Sequence, residues 1–393
     1  MIRTIKLLKK GAPAALFSLA VLLIIFQPYL PLATARVPIS DRAAHLLFPF
    51  YLNGKTYLFG LMAGTHSIPV YRTSDNAARW WVINDDPKDG FRLEVKDVKM
   101  SSEYENVISF TLNNHPYIFG LHVGPEKETT GSIGVGANIW RINDDAKGME
   151  LKLYAGKMSH RHKRVVSFQL KGEPYILGLH AELGANIWHI KQGPKGLTMD
   201  LVKYKAKMAP NYEHLAVFYM GGHPYVFGVH KDVGANIWRI NDDPSKGLDL
   251  VMKGAKFPKN RGYEFVRPFH VGGRPYLFAG VSHPEYVHIP PDAIYTGVAI
   301  GEGLFRSDWS GIYESGKGFG VIWEIGGDPR KPSIRQITPK AIRISERYEN
   351  LITFEQGGKA YIFGVHEEEY GNIWRVNDDP ARGFTLDYYG RNK

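Results

Sequence analysis

The chain has 393 residues with a formal net charge of +10, 44% hydrophobic and 13% aromatic residues, 42 Gly, 24 Pro and no Cys. That aromatic content supports a large core and excludes a disordered chain, and the Gly and Pro imply many tight turns. Without Cys there are no disulfides, thiolate zinc sites, iron–sulfur clusters or cysteine nucleophiles.

The chain begins with Arg3, Lys6, Lys9 and Lys10, followed by an apolar run over residues 12–26, then Pro28, Pro31 and Ala33-Thr34-Ala35. A basic start, a short apolar centre and an A-x-A end predict a signal peptide over residues 1–35, cleaved after Ala35. The run is short for a membrane span, so no span is expected after cleavage, and an uncleaved anchor is the alternative. Cleavage takes four cations from +10 and leaves +6 on residues 36–393. Either way the body lies outside the cytoplasm. An exported chain without Cys fits a bacterial periplasm or medium. Export and the small remaining charge argue against a nucleic-acid partner.

A repeat fills the rest. Six Tyr strands begin at Tyr57, Tyr117, Tyr175, Tyr225, Tyr276 and Tyr361, and each precedes a Trp strand at Trp81, Trp140, Trp188, Trp238, Trp323 and Trp374. Successive Trp residues are separated by 59, 48, 50, 85 and 51 positions. One unit reads as four short strands: Val107 to Leu112, Tyr117 to His122, Asn138 to Asn143 and Met149 to Tyr154, separated by turn residues. A four-stranded meander cannot cover both its faces alone, and a repeat near 50 residues is the signature of a propeller blade.

The expected fold is therefore all-β, a single propeller over residues 36–393 with six four-stranded blades. The blades fall at about 44–100, 104–158, 163–208, 212–257, 263–340 and 346–390. The long step of 85 places an insertion at 284–320; a degenerate seventh blade is the alternative. The repeat begins and ends in phase, so ring closure rests on blade packing, with an edge contribution from residues 36–41 left open.

With the first strand innermost, the loops between strands two and three share one rim with the blade-to-blade connections. The three longest departures, 64–79, 124–136 and 284–320, all fall between strands two and three, where long loops on a rigid scaffold usually carry function. The same hairpins carry a repeated polar pair. His122, His180, His230 and His366 end second strands, and Asn138, Asn186, Asn236 and Asn372 open third strands. His and Asn are expected to face each other across the hairpin neck. There they either pin the hairpin or, beside Tyr and Trp, bind carbohydrate hydroxyls. Blade one has Met62 at the His position, and in blade five Ser282 and His283 look shifted by an inserted residue.

Other repeated elements read as scaffold first. Tyr104-Glu105, Tyr212-Glu213, Tyr263-Glu264 and Tyr348-Glu349 precede first strands, with Tyr wedged between blades and Glu capping a turn. Blade three replaces them with the basic run His160 to Arg164, a solvated turn or a site for sulfate or uronate groups. The Asp pairs 85/86, 144/145, 242/243 and 378/379 supply too few oxygens for calcium and suit turns on the opposite rim. No metal or cofactor is expected.

The insertion holds His288, Tyr295, Glu302, Arg306, Asp308 and Trp309, none of them repeated elsewhere. No G-x-S-x-G, H-E-x-x-H or Walker motif is present. If the chain is an enzyme, it is a polysaccharide lyase using His283, His288, Tyr295 and Arg306, or a glycosidase using Glu302 and Asp308.

The recurring Phe110…Tyr117…Gly120 layout with a Trp in each blade resembles the propeller lectins of the tachylectin/tectonin type. The resemblance covers residues 44–390 in layout and implies one glycan site per blade. The leading expectation is an exported module binding carbohydrate or a cell-surface polymer through one rim. The alternatives are the propeller lyase or glycosidase and an envelope scaffold that binds protein.

Overall fold

The computed structural model describes residues 44–62, 76–122, 136–230, 234–255, 263–281, 319–339, 342–344, 348–366 and 371–390. The leader and its cleavage site, and His283, His288, Tyr295, Glu302, Arg306 and Asp308, lie outside the described residues. Among the described residues, no helix is long and apolar enough to cross a membrane.

The strands form six antiparallel sheets, each a meander in chain order. Blade one comprises β1 (Ala44–Leu52), β2 (Lys55–Met62), β3 (Ala78–Ile83) and β4 (Phe91–Val98). Blade two comprises β5 (Tyr104–Leu112), β6 (His115–His122), β7 (Ala137–Ile142) and β8 (Met149–Gly156). Blade three has β9 (His162–Leu170), β10 (Glu173–His180), β11 (Gly184–Gly193) and β12 (Gly196–Lys203). Blade four has β13 (Tyr212–Met220), β14 (His223–His230), β15 (Gly234–Ile240) and β16 (Leu248–Ala255). Blade five has β17 (Phe265–Val271), β18 (Arg274–Val281), β19 (Phe319–Asp328) and β20 (Lys331–Gln336), and the short β21 (Ile342–Arg343) pairs with β19. Blade six has β22 (Tyr348–Gln356), β23 (Lys359–His366), β24 (Gly371–Val376) and β25 (Phe384–Tyr388).

The first two strands of every blade join through a two-residue turn with both residues at positive φ, such as Asn53 and Gly54 at 52° and 74°. This is the turn whose twist matches a hairpin, and Asn and Gly tolerate it best. Just before it, a Phe on the first strand stacks on the Tyr of the second: Phe50–Tyr57, Phe110–Tyr117, Phe168–Tyr175, Phe218–Tyr225, Phe269–Tyr276 and Phe354–Tyr361, with ring centroids 4.9–5.5 Å apart. Such cross-strand aromatic pairs fix register.

The core is divided among the blade interfaces. Trp140 packs with blade one, Trp188 with blade two, Trp238 with blade three, Trp323 with blade four, Trp374 with blade five and Trp81 with blade six. Each third-strand Trp is thus an anchor against the preceding blade. The last interface closes the ring: Leu47, Leu58 and Trp81 bury against Ile352, Phe354 and Phe363. Gln356 Nε2 also donates to the Asn84 and Asp85 carbonyls, at 2.7 and 3.1 Å, and Glu355 N–H donates to the Tyr51 hydroxyl at 3.0 Å. Six blades close by packing, each sheet built from its own stretch of chain.

First strands are innermost and lean on one another. Ser109 Oγ donates to the Pro49 carbonyl, Ser167 Oγ to that of Ser109, and Thr353 Oγ1 to that of Pro268, at 2.6–2.8 Å. This order puts the first-strand starts, second-strand ends, third-strand starts and fourth-strand ends on one rim.

Candidate functional site

The Asn residues that open third strands are buried, and their partner is not the His of the same hairpin. Asn138, Asn236 and Asn372 each donate through Nδ2 to a first-strand hydroxyl, Tyr104, Tyr212 and Tyr348, all at 2.6 Å. Each Asn Oδ1 accepts a backbone N–H from the end of the fourth strand, Ala155, Gly254 and Gly390, at 2.8–3.0 Å. One side chain thereby ties the first, third and fourth strands together. The expectation that His and Asn face each other is corrected by the register. Asn138, Asn186, Asn236 and Asn372 lie opposite Gly120, Gly178, Gly228 and Gly364, whereas His180 and His230 lie opposite Gly184 and Gly234.

That Gly is needed because the Tyr ring lies over it. A Cβ on Gly120, Gly228 or Gly364 would come within 2.7–2.8 Å of the Tyr104, Tyr212 or Tyr348 ring. The same ring meets Trp140, Trp238 or Trp374 edge-on at 4.9–5.4 Å, and Tyr104 and Tyr212 meet His122 and His230 at 5.1 and 4.9 Å. Tyr104, Tyr212 and Tyr348 also belong to the cores shared with the preceding blade, so each is wedged between blades as expected while its hydroxyl serves its own blade. Tyr348 lies opposite His366 in register.

Blade three builds the same hub with His162 in place of Tyr. His162 Nε2 accepts from Asn186 Nδ2 at 3.1 Å while its Nδ1–H donates to the Ser159 carbonyl at 2.7 Å, and Asn186 Oδ1 accepts Lys205 N–H at 2.9 Å. This pattern fixes the neutral tautomer, and burial pushes the His162 pKa down to about 4. His180 stands edge-on to His162 at 5.1 Å, and its Nδ1 accepts the Glu182 and Leu183 amides at 3.1 and 3.2 Å, closing the hairpin.

Blades one and five lack the hub. Blade one places Arg79 opposite Gly60, and Arg79 Nη2 pairs with Asp97 at 3.2 Å, where other blades use Asn and a backbone amide. In blade five Val321 lies opposite Ala279, and Val281 takes the position of His. β18 runs in unbroken register through Val281, and the expected insertion at Ser282 and His283 lies outside the described residues.

The Asp pairs form turns on the opposite rim. Asp86, Asp243 and Asp379 cap single 3-10 turns, accepting the amides of Lys88, Ser245 and Ala381 at 3.0–3.1 Å, and Asp145 accepts that of Lys147 at 2.9 Å. Asp144 and Asp242 pair with Arg141 and Arg239 at 2.6 and 3.1 Å. These turns interlock the ring, with Asn53 and Lys171 donating to the Asp144 and Asp242 carbonyls of the next blade.

Three exposed tyrosines escaped the sequence reading. Tyr154, Tyr204 and Tyr389 are 75%, 52% and 39% exposed, each immediately before the residue whose N–H the buried Asn holds. Burial raises the Tyr104 pKa, the Asn138 bond opposes that, and nearby Tyr154 and Glu103 raise it further. Glu103 also pairs with His122 at 3.1 Å. An exposed phenol, a carboxylate and an imidazole thus surround Tyr104 on this rim. No spacing in the sequence marks them, because only the bulged fourth strand turns Tyr154 outward.

No protein-family model matches the chain, and no curated protein matches it. Among solved structures, the SapL1 lectin in complex with α-methyl fucoside aligns at TM-score 0.49 and 8% identity, over 88% of this chain and 95% of its own. A triple arginine-to-alanine mutant of AofleA from Arthrobotrys oligospora aligns at TM-score 0.47 and 6% identity, over 84% and 82%. An α-L-arabinofuranosidase from Clostridium thermocellum aligns at 0.43 and 11%, over 79% and 97%. These likenesses do not indicate which residues of this chain act.

Proposed function

We propose that the chain is an exported carbohydrate-binding propeller whose ligand lies on the rim that carries the Asn hubs. The observation behind this reading is the convergence of Tyr154, Glu103 and His122 on Tyr104 in blade two. A sugar presents C–H faces that stack on an exposed ring and hydroxyls that need fixed polar partners. Tyr154 offers the ring, and Glu103 and His122 offer acceptor and donor beside it. The buried Asn138, Asn186, Asn236 and Asn372 serve the site as frame, holding the strand that presents each ring, while His122, His180, His230 and His366 border it.

Tyr204 and Tyr389 offer further platforms in blades three and six. Lys253 and Lys96 occupy the equivalent positions in blades four and one, so the ring carries fewer sites than blades. The leader read from residues 1–35 motivates export.

The test is a glycan and polysaccharide screen of the purified protein, with neutral and uronate-rich polymers. Sugar-specific saturable binding is expected, weakened about five- to tenfold by Tyr154→Ala, as befits loss of a stacked ring at ~1–1.5 kcal/mol. A folded Tyr154→Ala protein that binds as the parent does, or a folded parent that binds no sugar, defeats the reading.

A further inference from the structure

The axis of the ring carries charge that the rim site does not use. First strands are enclosed on both sides by their neighbours, yet Ile108, Ser109, Val166, Ser167, Arg267 and Pro268 keep intermediate exposure. Solvent therefore reaches both faces of these strands along the axis. Blades three, four and five place Arg164, His214 and Arg267 there, near the first-strand starts.

Each is tied to the next blade by a backbone carbonyl. Arg164 Nε donates to Glu213 O at 2.8 Å, His214 Nε2 to Tyr263 O at 2.7 Å, and Arg267 Nε to Leu351 O at 2.8 Å. Arg267 Nη1 donates to Val266 O at 3.2 Å, and its guanidinium lies 5.9 Å from the Phe265 ring. These contacts orient the guanidinium groups without supplying negative charge. Among the described residues, neither Arg164 nor Arg267 pairs with a carboxylate, and Arg267 Nη2 has no partner.

The surroundings register this lack of a counterion. Burial alone lowers the Arg267 pKa to about 10. Burial, joined by Arg267 and Arg164 and opposed by the bond to the Tyr263 carbonyl, pushes His214 down to about 4, which places the two guanidinium groups near the same neutral imidazole. A fixed cation inside a protein is normally matched by an anion, and a guanidinium with its fork held by carbonyls presents its remaining N–H groups to an oxyanion.

We propose that the axial channel is an oxyanion site in which Arg267, assisted by Arg164, holds a phosphate, sulfate or carboxylate group. The group is either a free anion or the acid function of a sugar, and the site is independent of the rim tyrosines.

The experiment measures thermal unfolding of the full chain against rising phosphate, sulfate, acetate and galacturonate, with chloride at matched ionic strength as reference. A saturable rise with phosphate or sulfate supports a free-anion site, and a rise with galacturonate but not acetate supports a sugar acid. Arg267→Gln should weaken the response at least tenfold in half-saturating concentration. Arg335→Gln, at an exposed ion pair on β20, should leave it unchanged. If Arg267→Gln does not fold, Arg164→Gln takes its place and should weaken the response severalfold. No anion exceeding chloride, or the same half-saturating concentration in the folded Arg267 or Arg164 variant as in the parent, overturns the proposal.

Discussion

Blade three and blades two, four and six solve one problem with different chemistry. Each must satisfy a buried Asn where three strands meet beside a glycine. Tyr104, Tyr212 and Tyr348 do so with a hydroxyl, and burial raises the pKa of Tyr104 and Tyr212 above the ordinary value. His162 does so with a ring nitrogen that can bind a proton, and the site accepts His only in its neutral form. The comparison shows that the invariant part of the hub is the Asn and its geometry, while the first-strand partner is exchangeable at a cost in pH range.

The largest effect should come from removing the invariant part. Asn372→Ala and Asn236→Ala each leave a buried Tyr hydroxyl and a strand-end amide without their partner. A loss of about 2–4 kcal/mol is expected in urea unfolding. Asn186→Ala in blade three should lose a similar amount at pH 7, since Lys205 N–H is orphaned in the same way. A loss under 1 kcal/mol in all three would mean that the hub does not hold the blades.

Acid should then separate the two designs. His162 and His214 both have folded pKa values near 4, below the unfolded value of about 6.5. A depressed His pKa means that the unfolded chain binds more protons between these values. Stability is therefore complete above about pH 6.5 and falls as pH drops toward 4, by up to ~1.4 kcal/mol per pH unit for each group. His180 is shifted in the same direction by burial and adds to the fall. Urea midpoints across pH 4–8 measure it, and a flat profile would mean that His162 is not held neutral.

Most of the fold was legible in the sequence because propeller repetition writes the same packing into every blade. The Phe–Tyr stack and the capped Asn-Asp-Asp-Pro turns are local and the Trp recurs once per blade, so spacing reveals them. The hub was legible only in part. Its Asn recurs visibly, but its partner lies 34 residues earlier in Asn138 and 24 earlier in Asn236, across two strand pairings and a bulge. The hairpin reading therefore chose the nearer His. Blade one hid its equivalent further, because an Arg79–Asp97 ion pair shares no residue type with the Asn–amide bond it replaces. The exposed tyrosines stayed unread since facing depends on where each fourth strand bulges.

A smaller effect isolates the hydroxyl itself. Tyr212→Phe keeps the ring over Gly228 and against Trp238, and deletes only the acceptor of Asn236 Nδ2. About 1–2 kcal/mol should be lost, equally at pH 5 and pH 8, because no titrating group is involved. A pH-dependent loss would mean that the hydroxyl is not a pH-neutral partner of Asn236.

The smallest expected change at neutral pH is the most informative. His162→Tyr converts blade three to the hub of its neighbours. Gly178 is already present beneath the ring, and Asn186 already carries its fourth-strand bond. The new hydroxyl should accept from Asn186 as Tyr212 accepts from Asn236, while the bond from His162 Nδ1 to Ser159 is lost. At pH 7 these changes offset, and stability should stay within about 1 kcal/mol of the parent. At pH 5 the variant should be the more stable protein, because it no longer has an imidazole that the unfolded chain protonates more readily. What remains of the acid loss then belongs to His214 and His180, and a second change at His214 should remove its own share independently, since the two sites lie in different blades with no shared partner. If His162→Tyr keeps the full acid loss, the pH sensitivity lies on the axis, and the difference between blade three and its neighbours is one of shape alone.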